Sequence, residues 1–255
     1  MTKQTGIGAS SKRREDVRFL TGKGQYTDDI NRPGQTYAVF CRSEIAHGTI
    51  KGIDTAAAEA APGVLAVLTA KDFAHAGSLP CGWVIHNDDG SPMKEPKHAV
   101  LAEGRVRHVG HPYAMVVAET YQQAKDAAEL VEIDIEELPA VVDMREAVKG
   151  GTLVHEDAPD NICFDWKFVA EKEAEVDAAI KSAAHVVTLE IINNRLIPNA
   201  MEPRAAIGDY DKGTGDHTLF TTSQNPHVIR LMMGAFVLGI PEHKLRVVAP
   251  DVGGG

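Results

Sequence analysis

Cysteine is scarce: Cys41, Cys81 and Cys163 stand far apart and form no C-x-x-C pair. Local spacing therefore builds neither a zinc site nor an iron–sulfur cluster, and the three thiols are expected to be free and buried. Long apolar runs are missing as well. No stretch approaches the ~20 residues of a membrane span, and Met1-Thr2-Lys3-Gln4-Thr5-Gly6 has no apolar secretion core, so the chain reads as cytoplasmic. Positive charge is in deficit, with 26 Lys and Arg against 36 Asp and Glu and a formal net charge of −10. With no basic block and no aromatic-basic interleaving, nucleic acid and anionic membranes are excluded as partners. H-E-x-x-H is absent, which removes the common zinc hydrolase pattern. G-x-S-x-G is absent too, and Ser223 is followed by Gln224, which removes the serine hydrolase elbow. There is no internal repeat and no low-complexity block.

What is present is the composition of an ordinary folded protein, 44% hydrophobic and 24% charged. A chain of 255 residues holds one large or two ordinary domains, and two is the reading adopted. The first thirty residues carry Gly6-Ile7-Gly8 and a mixed-charge run, read as a solvated surface arm, because a G-x-G with no strand before it is a weak nucleotide signal. Tyr37-Ala38-Val39-Phe40-Cys41 reads as a buried strand. Asp54 caps a short alanine-rich helix over 55–61, which Pro62-Gly63 ends before the strand Val64-Leu65-Ala66-Val67-Leu68. Residues 77–97 turn to Gly, Pro, Asp and Asn and predict a long surface excursion. The apolar run over 113–118 is a strand, and Thr120 with Gln123 opens a helix to about Leu130 in a capping-box pattern. Val131, Ile133 and Ile135 alternate with acids, the period-two pattern of a strand wet on one face. His108-x-x-His111 is the nearest approach to a metal-ligand pair, and two ligands on a loop fall short of the usual four. Further on, Val176, Ala179, Ile180 and Ala183 give helix spacing, and strands are expected over 185–192, 205–207 and 217–221.

The last stretch is the one around which the chemistry gathers. Asn225 is a good N-cap and Pro226 fits the first helical position, so a helix is expected from there to Leu238, stopped by Gly239 and Pro241. This puts Gln224 on the loop leading into the helix. After a strand over 244–248, Gly253-Gly254-Gly255 removes every side chain from a turn, which lets backbone N–H groups approach a ligand such as a phosphate or a pterin. A glycine triplet serves equally as a plain tight turn or a flexible tail. Met201-Glu202-Pro203-Arg204 is open to two readings in the same way: an exposed turn with an ion pair, or a second polar loop beside Gln224, ordered by burial of Glu202 and Arg204. Two such loops and a glycine turn would make a site.

With these residues in hand, the chain resembles the molybdenum-binding large subunit of the xanthine dehydrogenase and aldehyde oxidase family, which includes aerobic carbon monoxide dehydrogenases. The resemblance is carried by Arg14-Glu15-Asp16 with 21–30, by Arg42-Ser43 with Ala46-His47, and by Pro62-Gly63-Val64 and Val109-Gly110-His111-Pro112. It continues in Leu138-Pro139-Ala140-Val141, Met201-Glu202-Pro203-Arg204, Gln224-Asn225-Pro226 and Ala249-Pro250-Asp251 through Gly255. It implies an α+β fold of the N-terminal portion: an arm and a/b hammerhead domain over 1–140, a connecting segment over 141–161, and the first part of a molybdopterin-binding domain over 162–255. It also implies that Gln224 lies beside the oxo ligand of molybdenum, and that Gly253, Gly254 and Gly255 join it in holding the cofactor, with no residue here ligating the metal. The cofactor implied is molybdopterin, in its cytosine dinucleotide form, with molybdenum. The implied partners are an FAD-binding medium subunit, a [2Fe–2S] small subunit and the remainder of the large subunit, in a dimer of heterotrimers. The implied activity is oxidation of an aldehyde or of carbon monoxide with water as oxygen source. The family's general base, a Glu, belongs to a part of the large subunit beyond Gly255, so the rival reading is a catalytically incomplete module for binding or assembly. His111 and Tyr113 depart from the Gln and Val common in the family, and Glu44-Ile45 replaces a common Ser/Pro-containing pair.

Overall fold

The computed structural model describes residues 6–254, so Gly255 lies outside the described residues. In chain order it has a short helix α1 (Asp16–Leu20), then strands β1 (Tyr37–Arg42) and β2 (Gly48–Asp54), helix α2 (Ala56–Glu59) and strand β3 (Val64–Thr69). Strands β4 (Arg105–Val106) and β5 (Pro112–Ala118), helix α3 (Tyr121–Ala128) and strand β6 (Glu132–Glu137) follow. After them come helices α4 (Met144–Ala147) and α5 (Glu173–Ser182), strands β7 (Ala206–Asp211) and β8 (Asp216–Thr221), helix α6 (Pro226–Leu231) and strand β9 (Leu245–Val248). The chain gathers into two compact units, one of residues 34–195 with 232–239, the other of 6–33, 196–231 and 240–254.

The first of these units holds two three-stranded sheets, ordered β1-β5-β3 and β4-β2-β6, with antiparallel pairing throughout. The central strand β5 buries Tyr113, Ala114, Val116 and Ala118, because both its edges are paired and α3 packs on the sheet. Cys41, Ala58, Ala102, Val106, Ala127 and Val131 complete that core. The expectation of a buried first strand is corrected here: β1 is an edge strand, and of its residues only Cys41 is buried. The expectation of three buried thiols is corrected likewise, since Cys81 and Cys163 are exposed. Burial pushes the Cys41 thiol up to about 11, which keeps it protonated and unreactive.

Local capping follows the sequence. The Thr120 hydroxyl accepts the Gln123 N–H at 3.2 Å, and the Asp54 carboxylate accepts the Ala56 N–H at 3.0 Å. Residues 77–97 form the long excursion, closed at one point by a bridge between His86 and Pro92. Strands β2 and β4 were not anticipated. Gly48 and Gly52 blur the alternation in β2, and β4 is too short to carry a pattern.

One expected strand is not a strand. Residues 185–192 belong to no ladder among the described residues, and Val187, Leu189 and Ile191 are 91%, 76% and 76% exposed. The run is rich in β-branched residues, but a strand needs a neighbour's N–H and C=O groups, and none of the described strands pairs with it. The expected helix over 226–238 also changes character. It is α-helical to Leu231 and continues as a π-helix, Met232–Leu238, with Gly234 and Val237 buried. Apolar residues three and four apart do not separate these two helix types.

The His108 and His111 rings stack at 4.6 Å, and among the described residues no group of three or more potential ligands is placed to hold a metal. His111 Nδ1 accepts the Arg107 N–H at 3.2 Å. Burial first, and then the positive charge of His108, Arg107, His98 and His155, hold the His111 imidazole down to about 4. In the unfolded chain it protonates near 6.5, so the stability that depends on a neutral His111 is complete above 6.5 and is lost as pH falls toward 4. We expect urea midpoints to drop across that interval, and His111→Gln, which keeps an acceptor for Arg107, to flatten the drop. The exposed stripe makes a separate prediction. The isolated polypeptide is expected to self-associate, and replacing Val187, Leu189 and Ile191 together by Ser should raise the monomer fraction in sedimentation.

Candidate cofactor site

The second unit carries the sheet β7-β8-β9, in which β7 and β8 are antiparallel while β8 and β9 are parallel, Phe220 facing Val248. Parallel neighbours need a crossover, and it starts where Asn225 caps α6. The Asn225 side chain accepts the Val228 N–H at 3.5 Å and its carbonyl accepts the Ile229 N–H at 3.2 Å. This topology has a direct consequence for the site. The chain leaving β8, Thr222-Ser223-Gln224, and the chain leaving β9, which runs through Asp251 to Gly254, emerge at the same edge, the carboxyl ends of two parallel strands where open sheets bind ligands.

A third segment, residues 197–204, meets them there. Glu202 is what joins the three. Its Oε1 accepts the Thr222 hydroxyl at 2.9 Å and the Thr27 N–H at 3.4 Å, while its Oε2 accepts the Gly253 N–H at 2.6 Å. The Glu202 N–H donates to the Gly253 carbonyl at 3.3 Å, so Glu202 and Gly253 are bonded at two points. The glycines are required by this closeness. A Cβ on Gly253 would stand 2.5 Å from Glu202 Cβ, and one on Gly254, where φ is +133°, would stand 2.8 Å from Ala200 Cβ.

Between the segments lies a cavity of about 550 Å³. Its walls include Asn199, Ala200, Glu202, Arg204, Ser223, Gln224, Val252 and Gly254. Gln224 and Arg204 are exposed and bring a carboxamide and a guanidinium to it, and Asn199 adds a second carboxamide from a left-handed backbone, φ 51°. These are donors for anionic or carbonyl-bearing groups, and glycine backbone forms one wall. Of the residues singled out in the sequence, Gln224 and Gly254 line this cavity, and Gly253 stands behind it, bonded to Glu202. The pairing of Glu202 with Arg204 is not what orders the loop: Glu202 turns to Thr27, Thr222 and Gly253, and Arg204 stays exposed. Sequence reasoning missed Thr27, which is fully buried, and Thr222. Thr27 sits in a stretch whose charges read as surface, and no local signal marks it.

Two family models match the chain. Residues 21–139 match the aldehyde oxidase and xanthine dehydrogenase a/b hammerhead domain, and residues 154–255 match the molybdopterin cofactor-binding domain. The chain belongs to the aldehyde oxidase and xanthine dehydrogenase family. Its mixed helix and strand fold is that of the hammerhead domain followed by the start of the molybdopterin-binding domain. The chain is 38% identical to the carbon monoxide dehydrogenase large chain of Afipia carboxidovorans, a match covering 99% of this chain and 31% of that protein. It is 36% identical to the nicotine 6-hydroxylase large subunit of Paenarthrobacter nicotinovorans, covering 98% of this chain and 30% of the relative. Among solved structures, quinoline 2-oxidoreductase from Pseudomonas putida 86 superposes with a TM-score of 0.83 at 34% identity, covering 99% of this chain and 31% of that one. Reconstituted CO dehydrogenase from Oligotropha carboxidovorans gives 0.84 at 37%, covering 98% and 31%. The chain thus spans about a third of the length of the relatives it matches. No helix among the described residues is long and apolar enough to cross a membrane.

Gly253→Ala is expected to drive a methyl into Glu202 and cost on the order of 1–3 kcal/mol. Gly208, in open surroundings, should tolerate Ala with a much smaller loss in the same denaturation series.

Proposed function

We propose that this chain receives the molybdopterin cofactor of a molybdenum-dependent oxidoreductase large subunit, in the cavity at the carboxyl ends of β8 and β9. The reading gives residues 1–140 to the arm and hammerhead domain, 141–161 to a connector and 162–255 to the first part of the cofactor domain. The observation that carries it is the convergence of Gln224, Asn199, Arg204 and the glycine wall at Gly254 on one cavity, inside the region matching the molybdopterin cofactor-binding domain.

The residues fit the group in size and in chemistry. A cavity of about 550 Å³ takes a cofactor-sized ligand, and Gly254 backbone forms part of its wall. When bound, the cofactor, in its cytosine dinucleotide form, supplies the redox centre. Gln224 presents its carboxamide to the metal end as a hydrogen-bond donor. Gly254 approaches the pterin through backbone alone, with Gly253 held behind it by Glu202. Arg204 and Asn199 offer donors to anionic or carbonyl oxygens, and Glu202 holds the turn in place through Gly253. No residue of this chain is assigned to ligate the metal or to act as the general base, which falls to the remainder of the large subunit.

The reaction proposed is oxidation of an electrophilic carbon with water as the oxygen source, on an aldehyde or on carbon monoxide. Electrons leave through a [2Fe–2S] small subunit and an FAD-binding medium subunit, in a dimer of heterotrimers. A second substrate class, a nitrogen heterocycle, is favoured by the likeness to nicotine 6-hydroxylase and quinoline 2-oxidoreductase.

The test is made on the complex purified with its large subunit. One molybdenum and one molybdopterin per large subunit are expected. Their absence would leave a module for binding or assembly and sink the enzyme reading. Gln224→Ala is expected to lower turnover about a hundredfold, the scale of losing one positioned donor, with melting temperature and molybdenum content unchanged. Equal loss of folding and turnover would instead make Gln224 a structural residue.

A further inference from the structure

The glycine turn is held from a second side, by the start of the chain. Helix α1 ends in a turn in which the Lys23 N–H returns to the Arg18 carbonyl at 2.9 Å, and the Thr21 hydroxyl caps the Val17 carbonyl at 2.7 Å. The two lock the arm's bend, which sends Arg18 and Gln25 to the same partner, Asp251.

Arg18 meets that carboxylate as a fork, with Nη1 to Oδ2 at 2.8 Å and Nη2 to Oδ1 at 2.7 Å. The Gln25 N–H donates to Asp251 Oδ2 at 2.8 Å, and the Asp251 N–H donates back to the Gln25 carbonyl at 2.9 Å. Asp251 therefore has its carboxylate and its N–H engaged with the arm, and its side chain is only 11% exposed while that of Arg18 is 44% exposed. Thr27 follows, giving its N–H to Glu202, so the arm touches the turn through Asp251 and the carboxylate behind the turn through Thr27. A charged surface arm has no need of such contacts. A turn without side chains does: lacking Cβ atoms, Gly253 and Gly254 have little of their own to restrict φ and ψ.

We propose that Arg18 and Asp251 are positioning residues for the cofactor site, a latch that fixes the conformation of residues 251–254 so that their backbone presents one face to the ligand. The proposal rests on the cofactor reading above. Arg18 does not line the cavity; it acts through Asp251.

The experiment compares wild type, Arg18→Ala, Arg18→Lys and Asp251→Asn in the purified complex, by amide hydrogen exchange resolved to residues 251–254 and by molybdopterin content per large subunit. Arg18→Ala is expected to speed exchange in 251–254 by about threefold to tenfold, the range for losing one forked, partly exposed ion pair. Molybdopterin content should fall with it, β7 and β8 should keep their protection, and Arg18→Lys should restore most of both. Asp251→Asn, which weakens the fork and the bond from Gln25 together, should exceed Arg18→Ala. Unchanged exchange in 251–254 would overturn the latch. Faster exchange with full molybdopterin content would overturn its role toward the cofactor, and protection lost throughout the sheet would make Arg18 a general stability residue. Wild type without molybdopterin would refute the cofactor reading and with it this role, while the exchange data would still say whether the arm holds the turn.

Discussion

The Glu202 carboxylate joins three pieces of chain far apart in sequence. It accepts the Thr27 N–H, the Thr222 hydroxyl and the Gly253 N–H, from the arm, from the loop after β8 and from the turn after β9. A carboxylate suits the task because it accepts several hydrogen bonds and donates none, and bonds to a charged group are worth about 1.5–3 kcal/mol where neutral ones give about 1. Removing it strands three donors at once. The geometry of the cavity is set by this convergence more than by any apolar contact, since its walls are loops.

The loops are in reach of that carboxylate because β8 and β9 are parallel. In an antiparallel pair the chain leaving one strand emerges beside the chain entering the other, and the segment ending at Gln224 would have had the segment leading into β9 as its neighbour. Parallel pairing puts both exits at one edge, and α6 makes the connection. Gln224 sits just before that helix, where the cap of Asn225 defines the direction in which the loop arrives.

Much of this was legible in the sequence for physical reasons that can be named. Asn225-Pro226 announces a helix start because cap chemistry is local, and the glycine run permits a close backbone approach, which Gly253 and Gly254 make against Glu202 and Ala200. Thr120 with Gln123 is read in the same way. What was not legible depends on partners far away in sequence. Whether Tyr37 to Arg42 is a central or an edge strand is decided by β5 and β3, and whether residues 185–192 form a strand depends on a neighbour that the pattern itself does not supply. Thr27 and Thr222 are short polar residues whose role exists only once Glu202 stands between them. The family resemblance implies a cofactor beside Gln224 and the glycines, whereas the arm, read from its charges as a solvated element, gave no sign of its attachment to Asp251.

The pairing of Gln25 with Asp251 closes a loop of 226 residues, and that distance along the chain has a temporal meaning. Closing so long a loop is entropically costly, and the arm cannot grip the turn before residue 251 has left the ribosome. The strands of the β1-β5-β3 sheet, by contrast, are all made by residue 118. During synthesis the chain therefore passes through a long interval in which the hammerhead sheet can be complete while the cavity has no walls. A ligand of that cavity meets its walls only after residue 253 has been made, and the contacts that shape its binding surface form after those of the β1-β5-β3 sheet.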